Sequence, residues 1–328
     1  MKFISSLLFL LASLVFAMGA WWLQHPLTLD KKVVEVTIGP GERARAVVQS
    51  LVDGGVDVQP QLLHWWLRLS GQARRLKAGS YEISGNPTPR ALIAKLVRGE
   101  VAMRSVTLVE GMTFAQWREL LRKAPNLKAD TQGLSDAAIM EKLGRPGVHP
   151  EGRFFPETYS YAKGSSDLAL LRRALQEMDQ RLAAAWAQRT PDSPLKSPDE
   201  ALILASIVEK ETGRPADRGQ IAGVFNNRLR KGMLLQTDPT VIYGLGPGFD
   251  GNLRKRDLLA DTPYNTYTRA GLPPTPIAMP GRDALLAAVQ PAHTDALYFV
   301  SRGDGTSEFS STLKDHNRAV RRFQLGQH

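Results

Sequence analysis

Two glutamates, Glu209 and Glu211, close an otherwise apolar run, Ala201-Leu202-Ile203-Leu204-Ala205-Ser206-Ile207-Val208-Glu209-Lys210-Glu211-Thr212. The run reads as a helix. Ser197-Pro198-Asp199-Glu200 offers a capping serine, a first-turn proline and an acid in capping-box position, while Gly213 and Pro215 stop it. On a helix, Glu209 and Glu211 point in widely different directions, so they do not face each other as a pair. Glu211 instead lies over Leu204, Ile207 and Val208, on an apolar stripe. It also occupies the last turn, where the helix dipole disfavours negative charge by roughly 0.3–1 kcal/mol. Both effects lift a carboxyl's pKa toward the range in which it donates a proton near neutrality, the chemistry of a general acid. The structural alternative pairs Glu211 with Arg214 or Arg218, or leaves it exposed.

The elements around this helix must then present Glu211 to a substrate. Asp217 reads as the cap of a second helix, Arg218 to Arg230, with Ile221, Val224, Phe225 and Leu229 facing inward. Glu211 thus falls at the bend of a helical hairpin, at the edge of a cleft. Downstream, Leu235-Gln236-Thr237-Asp238-Pro239-Thr240-Val241-Ile242-Tyr243-Gly244-Leu245-Gly246 reads as a polar, loop-rich stretch. Pro263-Tyr264-Asn265-Thr266-Tyr267-Thr268 and Gly271-Leu272-Pro273-Pro274 continue it. Tyrosine, asparagine, glutamine and threonine between such turns suit sugars, because rings stack on pyranose faces and amides and hydroxyls bind ring hydroxyls. A loop without function is the plainer reading.

Upstream, Val33 to Ile38 alternates as a strand and stops at Gly39-Pro40-Gly41. Helices are expected over Arg45–Val52, Pro60–Leu69 and Pro89–Val97, with a strand over Gly79–Ile83, which together make a small α+β module. A strand is expected over Ser105–Val109 and a long helix over Ser166–Thr190. Between them, Gly152-Arg153-Phe154-Phe155-Pro156-Glu157-Thr158-Tyr159 reads as a packed, aromatic-rich loop.

Phe3 to Trp22 carries no charge and has about the length of a bilayer-crossing helix; Lys2 precedes it and Trp21-Trp22 closes it as an interfacial anchor would. A cleaved signal peptide is the rival, with small residues at Ala17-Met18-Gly19-Ala20. Either reading exports the remainder of the chain. The chain has 328 residues, 43% apolar and 23% charged, a globular composition, and its net charge of +10 favours a polyanionic neighbour. Export demotes nucleic acid and leaves anionic headgroups or the carboxylate-bearing peptides of a bacterial wall. With no cysteine, disulfides, thiolate nucleophiles and zinc–cysteine sites are excluded. The six histidines are scattered without ligand spacing, so neither a metal nor a cofactor is expected. Gly244-x-Gly246-x-Gly248 contains Pro247 and opens no helix, which argues against a dinucleotide site. His316, beside Asp315 and Asn317, reads as a surface or capping residue, and Arg318, Arg321 and Arg322 as a solvated helix face.

Several of these segments together resemble the endolytic murein transglycosylase (YceG-like) family. They are Ala205 to Thr212, Val224-Phe225-Asn226-Asn227-Arg228-Leu229, Leu235 to Gly244 and Tyr264-Asn265-Thr266-Tyr267. Gly271-Leu272-Pro273-Pro274, Ile277-Ala278-Met279-Pro280-Gly281, Leu297-Tyr298-Phe299-Val300 and His316-Asn317 agree as well, in order along nearly the whole chain. The resemblance implies an α+β fold. It would comprise an N-terminal transmembrane helix over residues 1–22, a spacer over 23–32, a LysM-like module over 33–103 and a lytic-transglycosylase-like catalytic domain over 104–328. It makes Glu211 the catalytic residue, with Glu209 as the fallback.

The activity implied is cleavage of the MurNAc–GlcNAc bond in nascent glycan strands, leaving 1,6-anhydro-MurNAc ends. One carboxyl suffices, since the nucleophile is the muramyl C6 hydroxyl; most glycosidases pair two. Gln236, Asp238, Tyr243, Asn265 and Tyr267 are the candidates for holding sugar or orienting Glu211. The implied partners are peptidoglycan strands, the inner membrane, with the catalytic part on its periplasmic side, and peptidoglycan synthases (penicillin-binding proteins). Two alternatives stay open: a muramidase using water with Asp238 as base, and a non-catalytic, membrane-tethered wall-binding protein.

Overall fold

The computed structural model describes residues 2–326, and the chain divides into two compact units. The first takes the chain up to Arg104 together with Ser160–Ser165; the second takes Ser105–Tyr159 and everything from Ser166 onward.

The first unit starts with helix α1, Lys2–Gln24, whose end packs through Leu23 and Trp22 onto this unit's core. Counted over the described side chains, no helix is long and apolar enough to cross a membrane. The span expected at Phe3 to Trp22 includes Phe3, Ile4, Ser5, Leu7, Leu8, Ala12 and Val15, whose side chains lie outside the described residues. A short antiparallel pair, β1 (Thr28–Leu29) and β3 (Val56–Asp57), flanks a longer one, β2 (Val33–Ile38) and β4 (Gly79–Ser84). Val34, Val36 and Ile38 alternate into the core, as the period of two demands, with Ile83 and Tyr81 opposite the first two. Helices α2 (Ala44–Asp53), α3 (Pro60–Leu69) and α4 (Pro89–Arg98) contribute Leu51, Leu63, Leu67 and Leu92 to the same core. Prolines at the starts of α3 and α4 fit positions where a backbone N–H has no partner, and Thr88 caps α4 by accepting from Ala91 N.

Strand β5 (Met103–Leu108) pairs with β6 (Glu157–Ala162). The aromatic-rich segment is therefore a loop only as far as Pro156. Thr107 and Thr158 join their hydroxyls across the ribbon, while Phe154 and Phe155 are buried.

The second unit is mainly helical: α5 (Phe114–Lys123), α6 (Asp136–Lys142), α7 (Asp167–Ala187), α8 (Pro198–Glu211), α9 (Pro215–Arg230), α10 (Asp238–Leu245), α11 (Lys255–Leu259) and α12 (Arg282–Val289). A hairpin of β7 (Tyr298–Ser301) and β8 (Ser307–Ser310) and helix α13 (Leu313–Phe323) complete it. At its centre α8 packs against α7, α9, α10 and α12, with Leu202, Leu204, Ala205, Ile207 and Val208 fully buried. A helix buried on several sides needs no polar face, which is why this segment is apolar almost all round. Ser197 caps α8 by accepting from Glu200 N, but the Glu200 carboxylate turns to Lys196 N, so the reciprocal bond of a capping box is not made.

Two local expectations are corrected. Helix α9 starts at Pro215, not Arg218, and Asp217 lies inside its first turn, accepting from Ser307 N at 3.0 Å rather than capping. Two thirds of the stretch expected to be a loop from Leu235 to Gly246 is helix α10: Asp238 and Pro239 start it and Thr240 and Val241 are buried. Eight residues are too few for a clear amphipathic period, and Gly244 within the helix and Gly246 after it masked it.

Candidate active site

Glu211 is the last residue of α8, partly buried above the apolar side chains that the spacing placed beneath it. Its Oε1 accepts the Thr237 hydroxyl. Among the described residues no ion pair includes Glu211; Arg218, a partner considered from the sequence, reaches Asp283 at 3.3 Å instead. Burial pushes the Glu211 carboxyl up to about 7; the Thr237 hydrogen bond pulls against this, and the negative charge of Asp238 adds to it. At neutral pH such a group holds its proton about half the time, so both the acid and its conjugate base are available.

Thr237 is held by a small buried network. Its N–H donates to Thr266 Oγ1 at 3.1 Å, its carbonyl accepts from Thr240 Oγ1 at 2.8 Å, and the Thr240 and Thr266 hydroxyls lie 2.9 Å apart. Gln236, just before it, adopts a left-handed φ of +50°, uncommon for a residue with a side chain, and its N–H donates to Thr266 O at 3.0 Å. Arg228, 8% exposed on α9, braces the same turn: Nη1 donates to Leu234 O at 3.1 Å and Leu235 O at 2.9 Å, and Nε to Leu297 O at 2.7 Å. The Asn226-Asn227-Arg228 segment is thus scaffolding. Asn226 donates to Ala222 O and Ala288 O, and Asn227 to Thr294 O and Ala296 O.

The five sugar-site candidates fall into different roles. Gln236 is exposed, with its Oε1 3.4 Å from Arg228 Nη1. Asp238 is exposed at the start of α10 and accepts the Tyr267 hydroxyl at 2.5 Å, so these two stand together beside Glu211, whose charge also acts on Tyr267. Burial, then the bond to Asp238, holds the Tyr267 phenol above its usual value. Asn265 is fully buried: Nδ2 donates to Asp257 O, Leu258 O and Ala260 O, and Oδ1 accepts Tyr267 N, so this side chain shapes the loop and leaves nothing for a ligand. Tyr243 lies elsewhere on α10, its hydroxyl 3.0 Å from Glu151 Oε2.

Glu209, the fallback acid, faces another way. Its Oε2 accepts Gly281 N at 2.9 Å, at the start of α12, and it lines a cavity of about 590 Å3 with Glu110, Arg218 and Asp283. Burial raises its pKa, but its carboxylate serves a helix N-terminus. Ser206 supports the neighbouring segment by accepting Ile277 N at 3.0 Å, and Lys210 donates to Gly111 O at 3.1 Å.

A larger cavity, about 820 Å3, is lined by Lys210, the chain neighbour of Glu211, and by Pro239, Ile242 and Tyr243 of α10, with Tyr264, Phe249, Glu151 and His149. Glu151 is 3% exposed, and burial pushes its carboxyl up to about 7. Sequence reasoning missed both Glu151 and Thr237. Glu151 stands immediately before the aromatic-rich segment, the one signal that could have drawn attention to it.

A profile of the YceG-like family matches residues 36–322. The chain is 31% identical to the endolytic murein transglycosylase of Bacillus subtilis, over 92% of this chain and 88% of that protein. It is 27% identical to the endolytic murein transglycosylase of Streptococcus pneumoniae, over 89% of this chain and 58% of that longer protein. The crystal structure of a yceG-like protein from Listeria monocytogenes superposes with a TM-score of 0.55 at 29% identity, covering 88% of this chain and 99% of the other. With its motifs, its fold and these matches in agreement, the chain belongs to the YceG-like family.

Proposed function

We propose that the chain is an endolytic lytic transglycosylase that cuts the MurNAc–GlcNAc bond of peptidoglycan strands, with Glu211 as its acid and base. The observation that carries this is the carboxyl of Glu211, the last residue of α8, raised to about 7 by burial and held by the Thr237 hydroxyl. Relatives named as endolytic murein transglycosylases support the substrate class.

In the first step the protonated Glu211 gives its proton to the glycosidic oxygen, and the bond from the muramyl C1 to that oxygen breaks. In the second, the Glu211 carboxylate takes the proton of the muramyl C6 hydroxyl as that oxygen bonds to C1, closing the 1,6-anhydro ring. The acid is regenerated in its starting form, and no water is consumed. Because the nucleophile belongs to the substrate, the closure is effectively unimolecular.

The test is mass spectrometry of uncrosslinked glycan digested by wild type and by Glu211→Gln. Wild type is expected to release 1,6-anhydro ends and the variant to lose about 10²–10⁴-fold in rate, the usual worth of a positioned proton donor. Reducing ends from wild type would instead indicate a water-using muramidase; full activity in the variant would leave Glu209 or a tethering role.

The same reading places Phe3 to Trp22 in the inner membrane and the rest on the periplasmic side, close to peptidoglycan synthases. The charge-free run and the exposed Phe9, Leu10, Leu14 and Phe16 of α1 support the anchor. The α+β unit from Val33 is read as a LysM-like, wall-contacting module. Full-length chain is expected to partition with vesicles and a chain lacking residues 1–22 to stay in solution; equal partitioning removes the anchor.

A further inference from the structure

The cavity of about 820 Å3 holds a buried carboxyl that the cleavage chemistry above does not use. Glu151 sits in the turn before the aromatic-rich segment, and the next residue, Gly152, has φ +75° with no room for a side chain: a Cβ there would lie 2.4 Å from Pro276. That tight approach fixes Glu151 against two helices. Its Oε1 accepts the N–H of Phe114, the first residue of α5, at 2.9 Å. Its Oε2 accepts the Tyr243 hydroxyl of α10 at 3.0 Å. Around this pair the cavity is lined by the rings of Tyr243, Tyr264 and Phe249, all partly buried, and by the buried Phe114. Tyr243 and Tyr264 meet edge to face, their centroids 4.9 Å apart, and the Tyr264 hydroxyl is tied to Thr275 at 2.8 Å. Partly buried rings, a few polar groups and this volume are those of a ligand site, and ring faces beside hydroxyls suit a pyranose.

We propose that this cavity is a binding site for an acetamido sugar, in which Glu151 acts as a positioning residue that decides, through Tyr243, whether the site offers a hydrogen-bond donor or only an acceptor. Of the bonds to the Glu151 carboxyl, those from the backbone N–H groups of Phe114 and Gly152 cannot reverse, and only the one with Tyr243 can. The Phe114 N–H can only donate, so Oε1 must stay an acceptor whatever the charge on Glu151. A proton arriving on Glu151 therefore goes to Oε2, facing Tyr243. While Glu151 is ionised, the Tyr243 hydrogen points at it and the cavity meets only the phenol's lone pairs. Once Glu151 is protonated, its own O–H donates to the Tyr243 oxygen, and the Tyr243 hydrogen is released to the side where the Thr275 hydroxyl and the cavity lie. An acetamido carbonyl, which can only accept, is bound in that second state.

Burial holds Glu151 near 7, so both states are populated at neutral pH. The charged and titratable groups facing it are Asp136 at the start of α6, His149 in its own turn, Lys210 of α8, Tyr243 of α10 and Tyr264. Asp136 is paired with Arg118 at 2.8 Å, Lys210 with Gly111 O, and the His149 imidazole, which accepts the Glu151 N–H, is lowered by burial. Glu151 is thus the group in this cavity held near neutrality.

The proposal rests on the transglycosylase reading only for the choice of sugar. It is tested with chitotetraose, a β-1,4 chain of acetamido sugars, by calorimetry on full-length Glu211→Gln in detergent, which neither cleaves the strand nor titrates at residue 211. Affinity is expected to fall about fivefold to twentyfold between pH 5.5 and 8.5. Adding Glu151→Gln, whose amide must give its oxygen to Phe114 N–H and its NH2 to Tyr243, is expected to hold the tight value at both pH values. Adding Tyr243→Phe is expected to hold a weak one at both. Pairing a conservative amide with a deletion of one hydroxyl separates binding from folding, which a thermal melt of each variant checks. A pH dependence that survives Glu151→Gln, or affinity untouched by Tyr243→Phe, overturns the proposal. Glu211→Gln that cleaves normally would overturn the reaction scheme while leaving these binding outcomes readable.

Discussion

The hydroxyl of Thr237 donates to Oε1 of Glu211, joining the residue just before α10 to the last residue of α8 across a sequence separation of 26. Burial favours the neutral acid and this bond favours the carboxylate, and their opposition leaves the group near 7.

Replacing Thr237 by Val removes a donor that favours the charged form while keeping the side chain's shape. The Glu211 pKa then rises, so the alkaline limb of the kcat profile is expected to move to higher pH. The maximum rate should drop about threefold to tenfold as the carboxyl loses its orientation. Measuring kcat from pH 5 to 9 checks this; a limb that stays where it was would sever Thr237 from the acid.

Stability should report the same shift with a definite sign. The Glu211 pKa is raised on folding from 4.5 to about 7, so folding favours the protonated form. That contribution is fully present below about pH 4.5 and is lost as pH rises through about 7. Glu211→Gln, which does not titrate, is expected to match wild type at pH 4.5 and exceed it at pH 8.5 by up to about 3 kcal/mol. Denaturant unfolding at the two pH values reads the difference, and equal stability at pH 8.5 would place Glu211 in water.

Asn265 should behave as a brace. Asn265→Ala leaves three loop carbonyls, those of Asp257, Leu258 and Ala260, without their donor. A loss of about 2–3 kcal/mol is expected, the cost of unsatisfied buried groups. Chitotetraose affinity should change less than threefold at temperatures where the variant is folded. A variant of full stability but lost affinity would return Asn265 to the sugar site.

The acid and its helix were legible in the order of residues because their causes are local: an apolar run, a serine–proline start, a glycine stop and a carboxyl in the last turn. The amphipathic helices α3 and α4 and strand β2 were legible for the same reason, each carrying its own period over six to ten residues. Helix α10 was not, because so short an element takes its form from the packing of Thr240 and Val241 rather than from its own pattern.

The partners of the acids were settled by long-range folding alone. The apolar stripe already sets Glu211 apart from Glu209 on their shared helix, but it names no partner for either; α12 brings Gly281 N to the first and the chain before α10 brings the Thr237 hydroxyl to the second. Asn265 and Tyr243 share the composition of a sugar loop, but one is enclosed by its own loop's carbonyls while the other borders an open cavity. Glu151 carries no sequence signal of its own, because its raised pKa comes from burial among segments far apart in the chain. Spacing along a chain records which groups share a face; desolvation and hydrogen-bond direction depend on what the rest of the chain packs against that face.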